Sequence, residues 1–292
     1  MWSAALFVLA SSTAPAGTQE PPPPVPTAQM ASAPANPFQM AVPGSLAHLT
    51  MQPILPGRVG DGAGGERAVG GYWIASTEIT WDMFDAFVLA TDGPAVPSGV
   101  DAIARPSKPY ISADRGFGRE GFPALSIGLP AAQGFCDWLS AHTGQRWRLP
   151  DEFEWEHAAL AGGPGPWHTP AADGAAPAGE RGPTSVAWFK DNAQRRTRRV
   201  GSLAPNAFGL FDMHGNVAEW VTSADGKGRL CGGSYADTAA DVRAVARKRP
   251  SAVWNASDPN LPKSRWWLAD APFAGFRVLC ETEPAAPPAT DP

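Results

Sequence analysis

Apolar residues recur along this chain in three helical stretches and one short continuous run. Beyond Thr80, residues Met83, Phe84, Phe87 and Val88 share one face, which predicts a helix capped by Thr80. A second helix is expected to start with Pro130 at its first position. It carries Ala132, Phe135, Cys136 and Leu139 at helical spacing and ends at Gly144. Asp151 and Glu154 form a capping-box start to a third helix, with Trp155, Ala158 and Ala159 as its buried face. Glu152, Glu154 and Glu156 then favour the positive helix N-terminus, a structural role rather than a catalytic one. Tyr72-Trp73-Ile74-Ala75 reads as a strand, and Gly57 to Gly71 as a glycine-rich turn region. Gly60-Asp61-Gly62 within it is not a phosphate loop, because no lysine follows at the required place.

Elsewhere the periodicity fades. The segment bracketed by Asp212 and Glu219 is too rich in glycine and asparagine for a regular helix. Pro94 to Phe122 and Gly162 to Thr184 read as long connections. Thirty-one glycines, 32 prolines and 12 tryptophans point to a loop-rich fold held by large aromatic side chains. With 292 residues, 43% of them hydrophobic, the chain can bury a full core as one large domain or two small ones. Only 17% of residues are charged and the net charge is −5, so nothing electrostatic favours nucleic acid or an anionic membrane. No apolar run approaches the length of a membrane span.

The ends differ in character from the middle. Residues 1–17 read as an export signal, with Leu6 to Leu9 as a small apolar core and Ala14-Pro15-Ala16 as a cleavage site. The positive n-region is missing, and a disordered N-terminus is the alternative. Residues 18–37 form a Pro- and Ala-rich linker, 38–282 the foldable domain, and 283–292 a tail resembling the linker. The destination implied is periplasmic or secreted.

Candidate chemistry is sparse. Asp212 and Glu219 flank exposed carbonyls, as a calcium ion requires, but on spacing alone turn capping explains both. Arg195, Arg196, Arg198 and Arg199 read as a solvated surface turn. Arg265 beside Trp266 and Trp267 suits a carboxylate or an extended peptide; in the alternative the tryptophans plug the core. Asn255-Ala256-Ser257 matches a glycosylation sequon. Cys231 is expected to be a small buried strand residue rather than a reactive thiol.

Three motifs occur in order: Arg148-Leu149-Pro150-Asp151-Glu152-Phe153-Glu154-Trp155-Glu156; then Asn206 to Trp220 with Gly232-Gly233-Ser234; then Gly275-Phe276-Arg277. Together they resemble the formylglycine-generating enzyme, or sulfatase-modifying factor, family over roughly Ala41 to Glu281. The resemblance implies an α+β, loop-rich fold, a variant of the C-type-lectin-like architecture. It also implies a structural calcium ion held by Asp212 and Glu219 with the carbonyls of Gly215 and Val217. A second calcium site of the family, near Lys190 to Arg199, lacks its pattern here. A disulfide between Cys136 and Cys280 is implied for an exported chain. Glu78, in the family's E-V-T segment, is expected to make a structural hydrogen bond.

At the oxidase centre the pattern departs from the family. Two copper-binding cysteines should follow Gly-Gly-Ser-Tyr, yet those positions are Asp237 and Val242, and Ala218 stands where the family has tryptophan. Ser234 and Tyr235 remain. Neither copper nor oxidation of a sulfatase cysteine is therefore expected. One reading is a binding or structural module with a cleft of Ser234, Tyr235, Asp237, Arg243 and Trp266 for a peptide or a protein such as a sulfatase. The other is a divergent enzyme that oxidises a sulfatase cysteine or another substrate through a rearranged site.

Overall fold

The computed structural model describes residues 36–60, 64–90, 106, 107, 109, 112–168 and 182–281. The export segment, most of the linker and the tail lie outside these residues, as do parts of the two long connections.

Five strands come first: β1 (Phe38–Ala41), β2 (His48–Ile54), β3 (Gly57–Gly60), β4 (Glu66–Val69) and β5 (Tyr72–Ala75). Helices α1 (Trp81–Leu89) and α2 (Leu129–Thr143) follow, then β6 (Trp147–Arg148) and α3 (Glu152–Leu160). The remaining strands are β7 (Ala187–Trp188), β8 (His214–Gly215), β9 (Ala218–Val221), β10 (Arg229–Cys231), β11 (Arg247–Lys248), β12 (Ala274–Gly275) and β13 (Leu279–Cys280).

The main sheet runs β1-β2-β5-β13-β6 with every neighbour antiparallel. Its centre is β5, whose four residues are all buried, as a strand covered on both faces requires. A four-stranded sheet, β11-β10-β9-β12, carries Glu219 on β9 and Gly275 on β12, with β12 parallel to β9. The larger core lies between the main sheet and helices α1 and α2. Phe84 and Phe135 meet there at 5.9 Å, and Phe276 reaches Phe135 at 5.5 Å. Each such aromatic contact contributes about 0.5–1.5 kcal/mol beyond its buried area.

The helices form where the apolar spacing places them, with local differences. The capping box of α3 is complete: Phe153 N and Glu154 N donate to Asp151 Oδ1, and Asp151 N donates to Glu154 Oε2. Gly144 closes α2 in a left-handed conformation with φ 70°. Pro130 is the second rather than the first residue of α2, after Leu129. Thr80 stands at the N-cap of α1, but its side chain makes no capping hydrogen bond. The region expected as a turn, Gly57 to Gly71, is instead a hairpin of β3 and β4. Val59 and Val69 are the reason: both are buried against Trp155, Ala158 and Ala159 of α3.

The disulfide expected between Cys136 and Cys280 is not formed. Both residues pack as buried thiols in the larger core, and burial pushes the Cys136 thiol far above its ordinary range. A thiol held neutral by apolar surroundings behaves as a small hydrophobe, not as a nucleophile.

Candidate functional site

The segment from Asn206 to Glu219 is shaped by its own side chains. Asn206 Oδ1 accepts from Phe208 N and Leu210 N, while its Nδ2 donates to Ala158 O on α3. Asp212 and Asn216 both take left-handed backbone conformations, φ 53° and 52°, which these two residue types tolerate. Gly215, at φ 76°, passes so close to β7 that a Cβ there would stand 2.1 Å from Trp188 O. Only glycine fits that crossing.

This segment delivers carboxylates into the buried interior. Glu219 on β9 is clamped by Arg277: Nε donates to Oε2 at 2.6 Å and Nη2 to Oε1 at 2.7 Å. Trp155 Nε1 donates to the same Oε2 at 2.7 Å. Arg277 also donates to Ala75 O and Phe211 O, so one guanidinium ties together β5, the Asn206 loop and β9. Glu78 accepts from Val217 N and from Asn216 Nδ2, the structural bond expected of it. Asp212 Oδ2 accepts from Gly201 N at 2.6 Å, whereas Asp212 Oδ1 is buried and finds no partner among the described residues.

Three buried acids thus face one buried cation. Burial, then Asp212 and Glu219, hold the Glu78 carboxyl well above the usual range. Burial likewise lifts Asp212 to about 6. Burial thus disfavours the charged forms of Glu78 and Asp212, while Glu219 is paired with Arg277. The unpartnered Asp212 oxygen fits a calcium ion, since a buried acceptor without a donor is costly. Both Glu219 oxygens, by contrast, already accept from Arg277 or Trp155.

The residues expected to form one cleft are distributed over three places. Ser234 and Asp237 come together: Ser234 Oγ donates to Asp237 Oδ2 at 2.7 Å, and Lys248 Nζ meets Asp237 Oδ1 at 2.5 Å. Val242 is fully buried, with its carbonyl accepting from His214 Nδ1. Tyr235 sits edge-on to Phe117 at 5.4 Å. Arg243 points outward and donates to Ala240 O in its own loop. Trp266 is not a cleft residue: it is buried in the larger core, close to Gly134 of α2. Cys231 on β10 is also fully buried, and burial pushes its thiol up to about 12.

Sequence reasoning missed three partners. Arg277 was visible in the last motif, but nothing local marks it as the counter-ion of Glu219. Lys248 on β11 reaches Asp237 only through sheet pairing. Arg115, at φ 55°, lines a cavity with Trp267 and Asn255 that joins segments more than 100 residues apart.

The chain is similar to known proteins. The sulfatase-modifying factor enzyme 1-like domain matches residues 21–258. The formylglycine-generating enzyme of Mycobacterium tuberculosis (strain ATCC 25618 / H37Rv) is 32% identical over 109 residues, which is 36% of this chain and 34% of that protein. Inactive C-alpha-formylglycine-generating enzyme 2 of Bos taurus is 31% identical over 159 residues, 48% of each chain. The matches therefore span a third to a half of these relatives. The structure of PvdO from Pseudomonas aeruginosa overlays with a TM-score of 0.59 at 24% identity, covering 86% of this chain and 100% of that one. That likeness is one of fold.

Proposed function

From the premise that this chain belongs to the sulfatase-modifying factor family, we propose that it is an exported recognition or structural module without copper–cysteine oxidase activity. The observation that carries this reading is the state of the two positions beyond Gly-Gly-Ser-Tyr. Asp237 is neutralised by Lys248 and Ser234, and Val242 is closed into the interior. A soft monovalent copper ion wants thiolates. Cys231 does not replace them, because burial keeps it a thiol at neutral pH. A relative named as inactive supports the idea that this fold persists without the reaction.

A structural calcium ion belongs to the same reading. Asp212, the carbonyls of Gly215 and Val217, and Glu219 would hold it, and it would give the buried Asp212 Oδ1 a partner. Its role is to fix the loop that precedes β10, not to react. The ligand side of the proposal is a peptide or protein partner, with a sulfatase as one instance.

Copper affinity tests the reading. The purified chain is mixed with copper(I) and a chromophoric chelator, and the metal retained is measured. No retained copper is expected. One equivalent held against the chelator would restore the enzyme reading.

A further inference from the structure

The family's second calcium site falls near Lys190 to Arg199, where this sequence departs from the pattern. In the structure that turn is closed by other means. A calcium ion takes about six to eight oxygens, carboxylates prominent among them. From Trp188 to Gly201 the only carboxylate is Asp191, and it is exposed. The neutral oxygens already accept from N–H donors. Ala187 O accepts from Asn192 Nδ2, and Asn192 Oδ1 accepts from Phe189 N, both at 2.8 Å. Phe189 O accepts from Ala193 N, and Trp188 O from Asn216 N.

Arg198 is the cation of this turn. Gln194 and Arg195, both left-handed at φ 54° and 59°, reverse the chain between Ala193 and Arg198. Arg198 Nη2 then donates to Ala193 O at 3.2 Å and to Gln194 Oε1 at 2.9 Å, and its guanidinium lies 5.2 Å from the centre of the Trp188 ring. Carbonyl and amide oxygens of this kind also line calcium loops, but here a rigid fork of N–H groups engages them. Two buried atoms are left without a partner among the described residues, Thr197 Oγ1 and Arg198 Nε. One hydroxyl oxygen does not make a calcium site, and a divalent ion beside the guanidinium would be repelled by it.

We infer that Arg198 supplies in this turn the positive charge and the cross-links that a metal ion supplies in the family pattern, so the turn binds no calcium. The turn matters because of what it positions. Arg198 N donates to Asn216 Oδ1 at 2.9 Å, and Asn216 Nδ2 donates both to Arg198 O and to the buried Glu78 carboxylate. A metal-independent turn therefore holds one side of the acid cluster. At most one calcium ion, the one proposed at Asp212, is left for the chain.

Calorimetric titration of the full chain with calcium chloride, after removal of metal, tests the inference. At most one equivalent is expected, with the same affinity in Asn192→Ala. Two equivalents would overturn it, as would a single equivalent lost in Asn192→Ala, which would place the ion in the turn. Thermal melting in excess chelator tests the part given to Arg198. Arg198→Met, which keeps the stem over Trp188 but not the charge or the donors, is expected to melt several degrees below the unaltered chain, and Arg198→Lys between the two. A melting temperature of Arg198→Met equal to that of the unaltered chain would overturn the assignment. Where that variant fails to fold, the stoichiometry of the unaltered chain still decides. No calcium bound at all would remove the ion proposed at Asp212 and agree with a metal-free turn, so the two readings fall separately.

Discussion

Arg277 joins the buried acid cluster to the backbone around it. It is fully buried, it holds Glu219 in a bidentate pair, and it reaches two backbone carbonyls on other elements. Removing one member of such a pair leaves an uncompensated buried charge, which costs about 3–5 kcal/mol. Arg277→Gln is therefore expected to lose that much stability in urea denaturation. A loss below about 1 kcal/mol would mean that Glu219 is protonated or otherwise compensated. At the same scale, Cys231, Cys136 and Cys280 are apolar filling. The resemblance had suggested a bridge between the latter two, but both are thiols packed in the core.

At the scale of elements, what was legible in the sequence is what is local. The capping box of α3 lies within four residues and its glycine-terminated predecessor within one turn, so both could be read directly. The hairpin of β3 and β4 was hidden because its strands pack on α3, which begins more than 80 residues beyond the end of β4. The Asn206–Glu219 loop falls between these cases. Its left-handed Asp212 and Asn216 follow from residue type, but the acid cluster it completes needs Glu78 and Arg277 from the two ends of the domain. The proposed calcium ion makes this loop testable. An ion at 100 times its dissociation constant stabilises by about 2.7 kcal/mol, or roughly 5–10 °C in melting temperature for a domain this large. Chelation is expected to lower the midpoint by that amount in the unaltered chain and to have little effect in Asp212→Asn. Identical melting with and without chelator would remove calcium from the description.

At the scale of the whole molecule, fold and chemistry separate. The family was legible from motifs whose glycines, acids and arginine build the scaffold: Gly215 against Trp188, Glu219 against Arg277, Asp151 against Glu154. The candidate site was less legible. Ser234 and Asp237 do meet, but Trp266 turns inward and Arg243 turns away. The cavity lined by Arg115 and Trp267 depends on a segment between β11 and β12 that no periodicity described. Family membership thus fixes the frame, while the groups at a few positions decide what it does.

Those positions are addressed most directly by mass spectrometry of a Cys-x-Pro-x-Arg peptide after incubation with the purified chain, oxygen and copper, with Cys231→Ser alongside. The peptide cysteine is expected to remain unmodified in both samples. Its conversion to formylglycine would contradict a module built around Asp237 and Val242, and loss of that conversion in Cys231→Ser would assign the chemistry to the buried thiol.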